Sequence, residues 1–391
     1  MLRLLHHPDV SLVSRRFDRE KLVKDRISKL QRMMKDKGLD FFIGTTFDTV
    51  RYISDCRYVP IIDYFIDLYA VVLPADGLPT LFAPWVEGAP MGFSEVSPPS
   101  YIASPLAAEK WASLFADALK SHNSKDGRIG FDYFPYTVYQ ALRDKVPGAT
   151  LVPAMYDLLD VRSVKTPEEI TLLKKTARIL DKGMTAGLEF ARSGCSEFEV
   201  MAKMESAMME AGAESLPWLN FRSGSRTLTS IFSNGRKLRR GDPVVFDIGV
   251  MSDGYYGDGA RTGVVGTPSK ELGDLYDALY DSYFEGVAKV RPGVKGSVID
   301  ETMRHGLLER GYPDYPTSSG HGIGMRVTEF PWVARRDEAG PFDMELRQGM
   351  VLCLEPRTYR DKVAGVGIED VILVNESGHE LLTKANRHLN K

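Results

Sequence analysis

Residues 243–262 read PVVFDIGVMSDGYYGDGART. The run Pro243 to Gly249 is apolar apart from Asp247, the pattern of a buried strand, and Asp253-Gly254 is a turn dipeptide. Asp247 and Asp258 therefore lie on antiparallel arms of one hairpin. With Asp253 and Gly254 as the loop the two acids are diagonal neighbours on one face, and with Ser252-Asp253 as the loop they are directly opposed. In both registers two carboxylates converge.

Working outward, Met350 to Pro356 is a second apolar run that ends on an acid, Glu355, and Val366 to Val374 reads as a returning strand that carries Glu369. The turn material is Asp361 to Gly365, and a loop of odd length keeps the two glutamates on one face. His321 sits in Gly320-His321-Gly322-Ile323-Gly324, where glycines let the backbone pass close to a neighbour. That glycine run lacks the Lys-Ser/Thr ending of a phosphate loop.

Four carboxylates and an imidazole in apolar surroundings demand neutralising cations, because unpaired buried charge is too costly. Oxygen-rich ligands with one nitrogen suit manganese, iron, cobalt or zinc better than copper. Two such ions about 3.5–4 Å apart lower the pKa of a shared water toward neutrality, so hydrolysis is the expected chemistry.

Bulk composition bounds the rest. A chain of 391 residues is long for one core, so two domains are expected. Lys plus Arg is 50 against Asp plus Glu 53, with no basic stripe, which argues against nucleic acid as a partner. Cys56, Cys195 and Cys353 are odd in number and far apart, as reduced cytoplasmic thiols would be. Neither a signal peptide nor a membrane span is expected.

Phe17-Asp18 opens a helix with Val23, Ile27, Leu30 and Met34 in 3.6 period, ended by Gly38 before the apolar run Leu39 to Ile43. Tyr69–Leu73 and Leu78–Ala83 flank Asp76-Gly77 as a hairpin, and Arg128–Phe131 reads as a strand. Thr166-Pro167-Glu168-Glu169 is a capping box that opens a long helix with Ile170, Leu173, Ala177, Leu180, Met184 and Leu188 as its stripe. The second half looks duplicated. Leu238 to Gly241 precedes Asp247 as Leu346 to Gly349 precedes Glu355, and Arg192-Ser193-Gly194 and Arg291-Pro292-Gly293 each open a helical stretch ending at Gly212 and Gly311.

These motifs, with Gly257 to Thr262, Leu354-Glu355-Pro356 and Ile368-Glu369-Asp370, resemble the family of Xaa-Pro peptidases, methionine aminopeptidases and creatinase. The linker Arg162 to Glu169 resembles the two-domain prolidase and creatinase branch. The resemblance implies an α/β (α+β) protein, with a creatinase-like α/β domain over residues 1–158 followed by a pseudo-two-fold pita-bread catalytic domain over 159–391. It implies two divalent metal ions per subunit, manganese first and cobalt, iron or zinc as alternatives. Asp247 would chelate one ion, His321 and Glu355 the other, Asp258 and Glu369 would bridge them, and Glu355 would be general base and acid. It further implies a cytoplasmic homodimer acting on a dipeptide or other small molecule, with Asp63, Tyr64, Phe65 and Tyr69 as candidates for a wall lent to the partner's pocket. Trp218, Arg222 and Tyr255 are candidate pocket residues.

The chain departs from the prolidase pattern at four places. Thr328 and Ser230 stand where helper histidines are usual, Gly367 where an arginine is usual, and Arg357 where a glycine is usual. Arg326, Arg357 and Thr328 are the candidate substrate-binding residues, the arginines through bidentate pairing with a carboxylate. The leading expectation is thus an Xaa-Pro dipeptidase- or aminopeptidase-like hydrolase with an altered pocket. The alternatives are a C–N hydrolase or lyase acting on a small zwitterion, and a non-catalytic binding protein. Lyases of this fold carry acids where this chain has Val327 and Gly249, which weakens that alternative.

Overall fold

The computed structural model describes residues 17–57, 69–83, 93–96, 107–122 and 127–389. The chain divides into two compact units, one comprising residues 1–154 and 166–171, the other 155–165 and 172–391. Asp63, Tyr64 and Phe65 lie outside the described residues.

The first unit contains α1 (Arg19–Asp36), β1 (Phe41–Gly44), α2 (Phe47–Ser54), β2 (Ala70–Pro74), β3 (Thr80–Phe82), β4 (Ser94–Val96), α3 (Ala107–Ser121), β5 (Arg128–Phe131), α4 (Tyr136–Lys145) and β6 (Thr150–Pro153). The strands form one mixed sheet in the order β4-β3-β2-β1-β5-β6. Asp18 caps α1 by accepting from the Lys21 amide, and Gly38 takes the positive φ that releases the chain into β1. Phe41, Phe82, Trp111, Phe115, Phe131 and Phe134 fill the space between sheet and helices, and Tyr69 is buried as well.

The capping box expected at the linker is present: the Glu169 amide donates to Thr166 Oγ1 at 3.2 Å and the Thr166 amide to Glu169 Oε2 at 2.8 Å. The second unit is built from α5 (Met155–Ser163), α6 (Pro167–Phe190, less its first turn), α7 (Glu197–Glu210), β7 (Ser215–Ser223), β8 (Pro243–Ser252), β9 (Tyr255–Val264), α8 (Lys270–Val287), α9 (Gly296–Glu309), β10 (Gly320–Gly322), β11 (Glu329–Val333), β12 (Val351–Leu354), β13 (Arg357–Arg360), β14 (Ala364–Gly367), β15 (Asp370–Val374) and β16 (His379–Leu381).

Its sheets are β7-β8-β9, β11-β10-β12-β15-β16 and the ribbon β13-β14. The stripe of α6 lies on the glycines of β9: a Cβ at Gly259 would stand 3.1 Å from Leu180 and Met184, and one at Gly263 3.0 Å from Leu188. That close approach buries one face of β8-β9 and leaves the other to the acids.

The duplication is visible in hydrogen bonds. Gly194 N donates to Leu238 O and Gly293 N to Leu346 O, both at 2.9 Å, while Leu238 N donates to Cys195 O and Leu346 N to Val294 O, both at 2.8 Å. Gly194, Gly212, Gly241, Gly293, Gly311 and Gly349 all have positive φ, so the repeated glycines mark equivalent left-handed turns. Each half is a helix pair followed by strands. In the second, Leu352, Leu354, Ile372 and Val374 pack with Leu275, Leu279, Ile299 and Met303 of α8 and α9.

One expectation needs correcting. Val366 to Val374 is not one strand, because the return is split into β14 and β15, and the outgoing arm into β12 and β13. The breaks fall at Glu355-Pro356 and Ile368-Glu369; proline has no amide hydrogen to continue the ladder.

Candidate metal centre

The first hairpin takes the register with Asp253 and Gly254 as its loop. Gly249 faces Asp258 and Asp247 faces Ala260, so the acids are diagonal neighbours on one face. Asp253 and Gly254 have φ of 51° and 78°, as a two-residue hairpin turn with both central residues left-handed requires. In the second hairpin Leu354 pairs with Asp370 and Arg357 with Gly367, which places Glu355 opposite Glu369 across the break. The loop is Asp361 to Val363, odd in length as the shared face demands.

Two hydrogen bonds join the pieces: Glu369 N donates to Ala260 O at 3.0 Å, and Glu355 N donates to Ser319 O at 2.8 Å. Arg261, fully buried, donates to the carbonyl of Glu369 and to Asp370 Oδ1 at 2.6 and 2.7 Å. It thereby fixes the peptide that carries Glu369, a role that follows from the need of a buried guanidinium for acceptors.

His321 is on β10 opposite Cys353. Its Nδ1 lies 3.0 Å from Gly322 O, and a carbonyl only accepts, so Nδ1 carries the hydrogen. Nε2 then faces Asp258 Oδ2 at 3.8 Å and Glu355 Oε1 at 3.6 Å. The flanking glycines are sterically required. A Cβ at Gly320 would stand 2.1 Å from Cys353 O and one at Gly322 2.0 Å from Phe330 O. Both blocking atoms are backbone, so Gly322→Ala is expected to cost about 3 kcal/mol or more, at the upper end for overpacking. A denaturant midpoint unchanged from wild type would contradict this.

All five residues line one cavity of about 440 Å³, together with Trp218, Asn220, Thr317, Ser318, Val327, Thr328 and Arg357. Ligand atoms of Asp258, His321 and Glu369 lie within 4.8 Å of one another. Asp258 Oδ1 and Glu369 Oε1 are buried with no hydrogen-bond partner. Burial, and after it the like charges of Asp247 and Glu355, push the Asp258 carboxyl well above the ordinary range; burial and then Asp258 and Glu355 do the same to Glu369. Orphaned carboxylate oxygens, mutual repulsion and an imidazole nitrogen in one cavity form a donor set that divalent cations fit.

Trp218 Nε1 donates to Asp247 Oδ1 at 2.9 Å, and its ring covers Gly249, where a Cβ would stand 2.4 Å from it. Arg357 donates to Glu355 Oε2 and lies 3.6 Å from Asp247 Oδ2. Burial lowers its pKa but Glu355 and Asp247 raise it more, so it stays charged. Behind the histidine loop, Glu329 accepts from Arg162 and Lys165, each at 2.7 Å, with all three side chains buried.

Of the candidate pocket residues, Trp218, Thr328 and Arg357 line the cavity, whereas Arg222, Arg326 and Tyr255 do not. Tyr255 is fully buried. Ser230 is tied to its own loop, accepting from Arg226 Nη2 and the Phe232 amide. Asn220, Thr317 and Ser318 were not expected on the wall; only alternation with Trp218 along β7 would have suggested Asn220.

The sequence profile of the metallopeptidase family M24 matches residues 171–376, more than half of the chain, and that of the creatinase/prolidase N-terminal domain matches residues 26–164. The chain belongs to the M24 metallopeptidases: it is an α/β protein with a creatinase-type N-terminal domain followed by a pita-bread catalytic domain, and a hydrolase of the Xaa-Pro dipeptidase-like kind. The family implies divalent metal ions.

Among its relatives, an Xaa-Pro dipeptidase of Pyrococcus horikoshii is 34% identical over 258 residues, 65% of this chain and 72% of that one. An uncharacterized peptidase of Bacillus subtilis is 34% identical over 279 residues, 70% of this chain and 77% of that one. Among solved structures, the prolidase from Pyrococcus horikoshii superposes with a TM-score of 0.77 at 27% identity, covering 94% of this chain and 100% of that one. The Xaa-Pro dipeptidase from Bacillus anthracis gives 0.78 at 26%, covering 94% and 99%. Among the described residues no helix is long and apolar enough to cross a membrane.

Proposed function

We propose that the chain is a two-metal dipeptidase cleaving short Xaa-Pro or related peptides, with manganese as its first metal and cobalt, iron or zinc as substitutes. The observation that carries this reading is the convergence of Asp247, Asp258, His321, Glu355 and Glu369 on one cavity with two carboxylate oxygens left orphaned. Asp247 would hold one ion, His321 and Glu355 the other, and Asp258 and Glu369 both. When bound, the ions supply Lewis-acid polarisation of the scissile carbonyl and lower the pKa of water.

The chain's own residues do the rest. Glu355 takes the proton of the attacking water and delivers it to the leaving nitrogen. Trp218 holds Asp247 in place through its indole N–H. Thr328, exposed on the cavity wall, offers a hydroxyl to the substrate carbonyl.

The departures Arg357 and Gly367 form one directly opposed cross-strand pair, and a Cβ at Gly367 would touch the Arg357 stem at 3.8 Å. This supports a guanidinium moved to the facing strand of the same ribbon, where it still reaches the cavity. Trp218 fills the space above Gly249, which leaves no room there for the acid of a lyase and disfavours that alternative. The boundary at 158/159, a homodimer and a cytoplasmic location belong to the same proposal.

The test is turnover of manganese- or cobalt-loaded protein on Xaa-Pro dipeptides, other dipeptides and small N-substituted zwitterions. Cleavage of zwitterions with no dipeptide cut would replace this reading by the C–N hydrolase.

Cation binding should also be proton-linked. Asp258 and Glu369 have raised folded-state pKa values, so in chelated protein their contribution to stability is fully present below the ordinary carboxylate range and is lost as pH rises through the folded values. Cations must displace those protons, so manganese affinity is expected to strengthen with pH above the ordinary carboxylate range. Calorimetry in buffers of differing ionisation enthalpy reads the proton release, and a pH-independent Kd would contradict it.

A further inference from the structure

The segment that follows β16 has no regular structure, yet its backbone is firmly held. Asp181 of α6 accepts from the amides of Lys384 and Ala385, each at 2.8 Å, and Arg261 of β9 donates to the carbonyls of Ala385 and Asn386, each at 3.1 Å. Tyr276 of α8 donates to the Arg387 carbonyl. Residues 384–387 are thus fastened by side chains from α6, β9 and α8, and one of those side chains, Arg261, is the group that fixes the Glu369 peptide.

Asp370 joins the segment to the metal centre. It follows Glu369 directly and is fully buried. Its Oδ1 accepts from Arg261 Nη2 at 2.7 Å and Thr383 Oγ1 at 2.6 Å, and its Oδ2 from the Tyr283 hydroxyl at 2.8 Å. Arg387 spans both oxygens, Nε to Oδ2 at 2.7 Å and Nη2 to Oδ1 at 2.9 Å. Arg261 alone would neutralise this carboxylate. A further guanidinium with only 15% of its side chain exposed adds desolvation cost without improving the charge balance. What it does add is geometry, because a bidentate fork fixes the plane of the carboxylate it grips.

That geometry passes to Glu369 through Arg261, whose own fork has one arm on Asp370 Oδ1 and the other on the Glu369 carbonyl. The Glu369 amide ends on Ala260 O at 3.0 Å. Both backbone groups of Glu369 are therefore tied to the stretch of β9 just beyond Asp258. Glu369 Oε1 has no hydrogen-bond partner, so the placing of the carboxylate falls to this backbone tether.

We propose that Thr383 and Arg387 are positioning residues for the metal pair: they lock Asp370, Asp370 and the carbonyls of the segment lock Arg261, and Arg261 holds Glu369 where it can share ions with Asp258. This rests on the two-metal reading above and adds to it the chain of contacts that sets the affinity for the second ion. Outer partners of metal ligands act in this way, by fixing the ligand before the ion arrives.

The test is a calorimetric manganese titration of full-length wild type, Arg387→Met, Arg387→Lys and Thr383→Val, with electron paramagnetic resonance of the loaded proteins. Wild type is expected to take up two ions that give an exchange-coupled signal. Arg387→Met and Thr383→Val should each weaken the less tightly held ion by about ten- to hundredfold, the usual effect of losing an outer partner of a metal ligand, and should move signal from coupled to isolated manganese. Arg387→Lys keeps a charge on Asp370 but not the fork, so its loss is intermediate. Circular dichroism establishes that each variant is folded at the titration temperature, and Thr383→Val, which removes a single hydroxyl, decides the matter if Arg387→Met does not fold. Folded variants with a lowered Tm that still bind both ions as wild type does would show a merely structural role and overturn the proposal, leaving the two-metal reading in place. A wild type that takes up one ion or none removes that reading and the positioning role with it.

Discussion

Glu355→Gln is expected to lower kcat on the best dipeptide by about a thousandfold, within the range that a positioned acid and base contributes. The glutamine keeps the length and one oxygen of the glutamate but takes up no proton at neutral pH. It interrupts transfer from water to the leaving nitrogen while disturbing packing little. Glu355 is held by its own amide on Ser319 O and by the Arg357 guanidinium, so the replacement side chain has a defined place. Metal content must be measured beside the rate, because Glu355 is also one of the proposed ligands. A variant with full metal and a kcat within tenfold of wild type would remove Glu355 from the proton-transfer role and leave the fold and the cavity untouched.

Asp258→Asn should change stability with opposite sign in the absence and presence of cations. In chelated protein at neutral pH, Asp258 is a buried acid with an unpartnered oxygen, facing the like charges of Asp247 and Glu355. A neutral amide removes that repulsion, so Tm rises. The gain disappears at pH values below the ordinary carboxylate range, where the wild-type group is protonated in folded and unfolded chain alike. With manganese at a hundred times its Kd, the wild type gains about 2.7 kcal/mol from selective binding to the folded state, and the variant loses most of that. Thermal unfolding with chelator and with manganese reads both arms. A variant less stable than wild type under both conditions would mean that Asp258 serves packing, not cation binding.

Much of this was legible in the order of residues. Alternation and turn chemistry are local, so the run from Pro243 to Thr262 specified a hairpin with two converging acids, and Thr166 to Glu169 specified the start of α6. The repeated glycines were legible because a left-handed turn selects for a residue without a Cβ wherever it falls in the chain. The break at Glu355-Pro356 was harder to read. Val366 to Val374 is apolar apart from Glu369 and Asp370, and only the packing of the β13-β14 ribbon against the β7-β8-β9 half, through contacts such as Thr262 with Gly367, separates β14 from β15.

The sequence by itself determined which side chains carry the chemistry and how each pair shares a face, because pleat and turn geometry act over a few residues. Only the tertiary structure decided that the two pairs and His321 meet in one cavity, that Arg357 stands across from Gly367, and that Arg222 lies buried with its Nη1 lacking a hydrogen-bond partner among the described residues. Those outcomes depend on contacts between residues more than a hundred positions apart, such as Glu369 N with Ala260 O. No local rule sets such contacts; they form when the two apolar halves bury their faces together.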